Sequence, residues 1–86
     1  MKKIIDNKVY DTDSTTIVLL AESKKDEKKG EFERYYRTSR NNHFCHYGDS
    51  GGEDIMAYTI EEVTAKLAEF TDGKYGEIKW DNFEAA

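Results

Sequence analysis

The stretch TIEEVTAKLAEFTDG, Thr59 to Gly73, decides the fold. Thr59 and Glu62 have the spacing of a capping box, in which the threonine hydroxyl accepts from the third helical amide and the glutamate reaches back. Apolar residues then recur at helical spacing until Thr71-Asp72-Gly73 ends the run. The sequence therefore predicts one amphipathic helix over Thr59–Phe70, with an apolar stripe made of Ile60, Val63, Leu67 and Phe70.

The segments before this helix have the composition of short strands, rich in β-branched and aromatic residues. We predict strands at Thr16–Ser23, Phe32–Thr38, His43–Tyr47 and Ile55–Tyr58, joined by loops at Lys24–Gly30, Ser39–Asn42 and Gly48–Asp54. Asp6-Asn7 separates Lys3–Ile5 from Lys8–Tyr10, which favours a tight turn between two further short strands. The tail, Lys74–Ala86, is compatible with either a short helix or a strand.

These elements predict an α+β fold in a single domain over residues 1–86. The expected architecture is a small, twisted, mainly antiparallel sheet of about four strands, with one principal helix packed on one face. The helix is expected to bury its apolar stripe against Ile17, Leu19 and the aromatic residues of the strand hairpin. Replacing Leu67 by alanine would then remove core packing.

Cysteine count and hydropathy indicate the cellular setting. Cys45 is the only cysteine, which excludes an internal disulfide and is typical of a reducing compartment. The longest apolar run is Ile17 to Ala21, too short for a membrane span or a signal-peptide core. We therefore expect a cytoplasmic protein that does not enter a membrane.

Charge is distributed unevenly along the chain, whose formal net charge is −5. Residues 1–40 carry 10 basic and 8 acidic side chains, whereas residues 41–86 carry 3 basic and 10 acidic ones. Such asymmetry indicates either an interaction surface or a purely solubilising one. If the helix and the loop before it face the same side, they form one acidic partner-binding surface, made of Asp49, Glu53, Asp54, Glu61, Glu62 and Glu69.

Gly48-Asp49-Ser50-Gly51-Gly52 matches the string around the nucleophilic serine of trypsin-like proteases. A serine nucleophile needs a histidine base, an acid that orients it and an oxyanion hole, and those enzymes assemble them from two barrels. Here the histidines lie only a few residues upstream, and glycine, aspartate and serine are ordinary turn residues. We interpret the string as a turn and expect no catalytic residue and no enzymatic activity.

His43-Phe44-Cys45-His46 contains three residues of zinc-ligand type. On a strand, however, His43 and Cys45 project to one face and His46 to the other. The rest of the sequence offers no second Cys/His pair, so we expect no metal and no cofactor and interpret Cys45 as a small buried hydrophobe.

Basic and aromatic residues alternate along one predicted hairpin, a composition that resembles single-strand nucleic-acid platforms. The alternative interpretation is that one tyrosine faces the core while the arginines lie beside it. Because the whole chain is acidic, nucleic acid is an unfavourable partner. It is the second hypothesis, with a site made of Arg34, Tyr35, Tyr36, Arg37 and Arg40.

Short motifs spread over most of the chain resemble a loose group of small, largely uncharacterised proteins encoded by bacterial phages and mobile elements. The matching pieces are Lys8-Val9-Tyr10-Asp11-Thr12, Tyr36-Arg37-Thr38, Phe44, Tyr47-Gly48, Gly51-Gly52-Glu53, Ile55, and Thr59 with Glu61-Glu62.

The resemblance implies a genomic context rather than an activity. Small accessory proteins of mobile elements often bind a host protein, for instance as anti-CRISPR or antirestriction inhibitors. By that analogy we expect an inhibitor that presents its acidic surface to a basic, nucleic-acid-binding groove of a CRISPR effector or a restriction enzyme.

Overall fold

The computed structural model describes residues 1–23, 29–71 and 75–86. In those ranges the chain forms seven strands, one α-helix and one 3-10 helix. The elements are β1 (Lys2–Ile5), β2 (Lys8–Asp11), β3 (Val18–Ser23), β4 (Phe32–Arg37), β5 (His43–Asp49), β6 (Gly52–Tyr58), α1 (Ile60–Phe70), β7 (Gly76–Ile78) and the 3-10 helix (Trp80–Asn82). Most of the predicted loop Lys24–Gly30 and the predicted helix stop at Asp72-Gly73 lie outside the described residues.

The strands form two sheets, so the α+β, mainly antiparallel prediction is confirmed while the strand count was too low. Five strands are ordered β6-β5-β4-β3-β7, and β1 pairs with β2 in a separate two-stranded sheet. Strands β3 to β6 correspond to the four expected ones. The fifth, β7, comes from the tail, which contains both a strand and a 3-10 turn.

The helix begins as its sequence predicts. Thr59 Oγ1 accepts the amide of Glu62 at 3.1 Å, and Glu62 Oε1 accepts the amide of Thr59 at 3.0 Å. This capping box satisfies two amide groups that the first turn leaves without helical partners. Among the described helices none is long and apolar enough to cross a membrane.

Helix α1 covers one face of the five-stranded sheet. Val63 and Phe70 are buried there against Leu20, Tyr35 and Cys45, and Leu67 packs at the margin of the same cluster. The predicted stripe is wrong at its first position, because Ile60 is 53% exposed. Ile60 occupies the first helical turn, before the helix has crossed onto the sheet.

For β3, which packs against the helix, the side chains were predicted to lie on the wrong faces of the sheet. Val18 and Leu20 pack toward the helix, whereas Ile17 packs on the opposite face with Tyr10 and Phe44. Side chains alternate between faces, so an error of one residue exchanges the two sets. An irregularity in the β3–β4 register between Leu19 and Ala21 adds to the difficulty.

The opposite face of the sheet is covered by the β1–β2 hairpin. Asp6 and Asn7 have φ angles of 51° and 62°, the positive values that a two-residue type I′ turn requires, which confirms the predicted turn. Tyr10 then contacts Phe44 edge-on, with ring centroids 5.3 Å apart. The molecule thus has three layers, helix, sheet and hairpin, and the β4–β5 and β5–β6 turns are exposed.

Candidate functional site

Five carboxylates surround one open groove where β5 turns into β6. The groove has a volume of about 660 Å³ and is also lined by Phe32, Tyr47 and the glycines of the turn. We call this the acidic groove; its carboxylates are Glu31, Glu33, Asp49, Glu53 and Asp54. Three of them belong to the predicted acidic surface, and Glu31 and Glu33 were missed.

The strand register brings these side chains together. Glu33 of β4 pairs with Tyr47 of β5, which pairs in turn with Asp54 of β6. One position along, Phe32, Gly48 and Glu53 form the next row, whose side chains project to the opposite face, so the groove wraps around the turn end of the sheet rather than lying on one face. The predicted loop Ser39–Asn42 would have placed Glu33 opposite Gly48, one residue out of register; the observed turn closes between Thr38 and Asn42 and places Glu33 opposite Tyr47.

The protease-like string forms the turn of this groove. Asp49 and Gly52 are paired, which leaves Ser50 and Gly51 as a two-residue connection. Asp49 Oδ1 accepts the amide of Gly51 at 2.7 Å, and the amide of Ser50 donates to the carbonyl oxygen of Lys29 at 3.3 Å. The predicted loop Gly48–Asp54 is therefore shorter than expected, and most of its residues belong to β5 and β6.

Gly48 is the glycine that this turn needs most. A β-carbon there would meet the backbone oxygen of Gly52 and would lie 2.9 Å from Cα of Glu53. Gly52 has a φ of 151°, which side chains other than hydrogen rarely permit. Gly51 has more room, since its β-carbon would meet only the Asp49 carboxylate at 3.2 Å.

A buried histidine lies directly behind Glu53. His46 Nε2 is 3.5 Å from Glu53 Oε1 and makes no hydrogen bond with the described residues. Phe32 packs edge-on against the imidazole at 4.9 Å, and the guanidinium of Arg34 lies 4.8 Å from the centre of the Phe32 ring. Glu53 is thus the carboxylate of the acidic groove that lies next to a buried histidine.

Asp54 is bonded to a lysine of the β1–β2 hairpin. Lys3 Nζ donates to Asp54 Oδ1 at 2.7 Å and to the carbonyl oxygen of Ile55 at 3.2 Å. These contacts, the Lys3 hydrogen bond first, lower the pKa of the Asp54 carboxyl. The lysine was missing from the predicted site because it lies 51 residues away in sequence.

Glu33 connects the groove to the core. The hydroxyl of Tyr35 donates to Glu33 Oε2 at 3.0 Å. Burial raises the pKa of Tyr35, and the neighbouring Cys45 and Glu33 raise it further, so the phenol stays protonated and remains a donor. Glu33 therefore enters the groove with one oxygen already engaged by the interior.

The predicted acidic surface divides into two groups. Glu61 and Glu62 follow the far end of β6, roughly 17 Å along the strand from Glu53. Glu69 lies near the other edge, because the adjoining Phe70 contacts Gly76 of β7, about 19 Å across the sheet from β6. The helix crosses the sheet diagonally, so its carboxylates are separate from the acidic groove.

The basic and aromatic residues of the alternative nucleic-acid site are divided between the two faces of the sheet, because side chains alternate along a strand. Tyr35 is 1% exposed, so it belongs to the core and cannot stack on a base, as the competing interpretation held. Tyr36 lies on the opposite face, stacked on Phe44 at 5.1 Å. The rings therefore do not form one platform.

The three arginines of that set are also dispersed. Arg34 pairs with Glu22 at 3.8 Å, and Arg37 donates to the carbonyl oxygen of Asn82 at 3.1 Å. Arg40 lies in the exposed β4–β5 turn. Because two of the three are engaged within the chain, the structure does not bring the set together as a nucleic-acid site.

The residues of zinc-ligand type also point apart, as strand alternation requires. Cys45 belongs to the cluster under the helix, whereas His46 packs with Phe32 on the other face. Burial raises the pKa of the Cys45 thiol to about 11 and, with Arg37, lowers that of His43. In the ranges 1–23, 29–71 and 75–86, histidine, cysteine and carboxylate side chains form no group of three suited to a metal ion.

Comparison with protein-family models, curated proteins and solved structures finds no match for this chain. The resemblance to proteins of phages and mobile elements therefore remains a prediction from the sequence motifs.

Proposed function

We propose that this protein is a non-enzymatic binding protein that presents its acidic groove to a cationic surface of a partner protein. The observation that supports the proposal is the convergence of five carboxylates from β4, β5 and β6 on one open groove. Among the described residues, Lys3 lies beside Asp54 and His46 lies beside Glu53.

Such a concentration of negative charge works against folding, because like charges repel at short range. Its benefit lies in association, since a negative patch accelerates encounter with a complementary positive surface and disfavours other partners. A surface that normally holds nucleic acid is positive over a comparable area. We therefore propose such a groove, in a host defence protein, as the target.

The class of host protein that we propose is taken from the motif resemblance. We propose a cytoplasmic inhibitor encoded by a phage or mobile element, with a CRISPR effector or a restriction enzyme as partner. The protein would act by occupying the nucleic-acid groove, without cofactor or catalysis. A fluorophosphonate probe, which labels activated serines, is expected to leave Ser50 unmodified.

Two double charge reversals test the role of the groove. Glu31→Lys with Glu53→Lys changes the acidic groove, whereas Glu61→Lys with Glu69→Lys changes the helix by the same net charge. We avoid Glu62, because it caps the helix. Both variants are first checked by circular dichroism and thermal unfolding, and then assayed for inhibition of DNA cleavage by a CRISPR effector and by a restriction enzyme.

We expect the groove variant to lose inhibition at least tenfold and the helix variant to remain within twofold of wild type. The reverse order would move the site to the helix. Equal losses would mean that only the overall charge matters, which is the solubilising interpretation. If wild type inhibits neither enzyme, the proposed class of target is wrong.

The nucleic-acid hypothesis is tested in parallel by gel shift with single- and double-stranded oligonucleotides at low and moderate salt. We expect no shift. Binding that is steeply lost with salt and abolished by Arg40→Glu would favour the regulator hypothesis instead.

A further inference from the structure

Strand β6 is an edge of the five-stranded sheet within the described part of the chain. Backbone groups of alternate residues point the same way along a strand. The backbone groups of Asp54 and Met56 point inward to β5, as do those of Gly52 in the Asp49–Gly52 pair that closes the turn. The amide and carbonyl groups of Glu53, Ile55 and Ala57 therefore point to the open edge, where a further strand would bind.

In one of these three residues, Ile55, the backbone amide and carbonyl groups already form hydrogen bonds with side chains. Asp54 Oδ1 accepts the amide of Ile55 at 2.8 Å, and Lys3 Nζ donates to its carbonyl oxygen at 3.2 Å. The same two side chains are joined at 2.7 Å. The Lys3–Asp54 pair thus substitutes for the peptide group of an absent neighbouring strand, and it is partly exposed and displaceable.

A groove of about 490 Å³ runs beside this edge, between β1 and β6, and is lined by apolar side chains together with Lys3, Asp6 and Asp54. Its lining includes Ile4 and Met56, which are 71% and 47% exposed, together with Ile5 and Ala57. Exposed apolar side chains next to an open strand edge are what an added strand would cover.

We infer that β6 binds an extended segment of a basic partner by strand addition, an inference that rests on the proposed function. Asp49 and Glu53 stand at the end of the edge that adjoins the acidic groove. The segment that fits the edge alternates apolar residues with lysine or arginine, so that a basic side chain reaches these carboxylates. Its backbone replaces the Lys3–Asp54 pair on Ile55.

A second copy of this chain fits the edge poorly. Antiparallel pairing of two β6 strands about Ile55 would set the Lys3–Asp54 pairs of both copies against each other, because each pair occupies the backbone of Ile55. Parallel pairing would align Glu53 with its own counterpart. Like charges that face each other across strands are destabilising, so charge complementarity selects a basic segment.

The probe for this inference is a fluorescent nine-residue peptide of alternating lysine and valine, measured by anisotropy. A matched peptide carries N-methyl groups on alternate amides on the edge-facing side, which removes strand hydrogen bonds at unchanged charge. On the protein, Ala57→Pro removes an outward amide at an edge position that tolerates proline, and Ala57→Val retains it. Lys3→Met releases the carbonyl oxygen of Ile55.

We expect the alternating peptide to bind wild type and Ala57→Val equally, and Ala57→Pro and the methylated peptide to bind at least tenfold more weakly. Lys3→Met is expected to bind severalfold more tightly. If Ala57→Pro does not fold, the methylated peptide still decides the question. Equal affinity for both peptides, or no binding of the alternating peptide, would overturn strand addition.

The two proposals fail separately. Groove-dependent inhibition without peptide binding would retain the proposed function and reject the strand-addition site. Peptide binding without inhibition of either enzyme would do the opposite.

Discussion

Gly48 of β5 lies so close to Glu53 of β6 that a β-carbon on the glycine would be 2.9 Å from Cα of the glutamate. The two residues are paired across the strands that form the acidic groove. The position of Glu53, and of the turn that carries Asp49, therefore depends on the absence of a side chain at residue 48.

Gly48→Ala is expected to lower the free energy of unfolding by about 1–3 kcal/mol, because the added methyl group must displace backbone. Gly51→Ala is the matched control, since its β-carbon would meet only a side-chain oxygen that can move. Urea denaturation of both variants measures the difference. Equal stabilities would show that β5 and β6 separate at little cost.

Phe70→Ala tests the packing of the helix. The ring is 4% exposed and meets Tyr35 edge-on at 5.6 Å, so its removal is expected to cost about 3–5 kcal/mol. Ile60→Ala is expected to cost less than about 0.5 kcal/mol, because the side chain is largely exposed. Chemical denaturation gives both values, and a larger loss for Ile60→Ala would contradict the observed orientation of the helix.

Acidification should destabilise the protein through His43. Burial and then Arg37 lower the pKa of this histidine in the folded state below its ordinary 6.5. As pH falls through 6.5, His43 therefore binds a proton in the unfolded chain but not in the folded chain, and the free energy of unfolding decreases.

His43→Gln should remove much of this pH dependence between pH 7.5 and 5. The Asp54 contribution is lost only below its ordinary pKa of 3.8, because the folded-state pKa is lowered further, and so lies outside that window. Thermal unfolding at a series of pH values separates the two effects. An unchanged pH profile in His43→Gln would assign the acid sensitivity elsewhere.

Cys45 should resist thiol reagents in the folded protein. The side chain is 1% exposed, and its pKa of about 11 leaves little thiolate at pH 8. Native protein is expected to react slowly with a chromogenic disulfide, and unfolded protein to react rapidly at one thiol per chain. Ser50→Cys, with a thiol at the exposed turn, provides the fast control, and rapid labelling of native wild type would contradict the burial of Cys45.

Local signals in the sequence were sufficient for most elements. Thr59 and Glu62 specify the start of α1 because a capping box involves only neighbouring residues. Asp6-Asn7 specifies the β1–β2 turn for the same reason, through its tolerance of positive φ. These interactions close within four residues, so no knowledge of the rest of the chain is needed to predict them.

The structure brings together only part of the predicted acidic surface, because the prediction grouped residues by charge and sequence proximity. Asp49, Glu53 and Asp54 do lie together. Glu61, Glu62 and Glu69 belong to α1, which crosses the sheet diagonally away from the acidic groove. Glu31 and Glu33 join the groove through the β4–β5 register. Strand pairing converts distant sequence positions into neighbours.

The sequence by itself determined the helix, its cap, the β1–β2 turn and the antiparallel fold class, because each follows from hydrogen bonds and periodicities within a short segment. Only the tertiary structure decided which face of β3 receives the helix, where β7 pairs, and that Lys3 covers the backbone of Ile55. Those outcomes depend on side chains that compete for the same buried faces across long sequence separations. The acidic groove is one of them, since its carboxylates come from three strands that meet only after the sheet has formed.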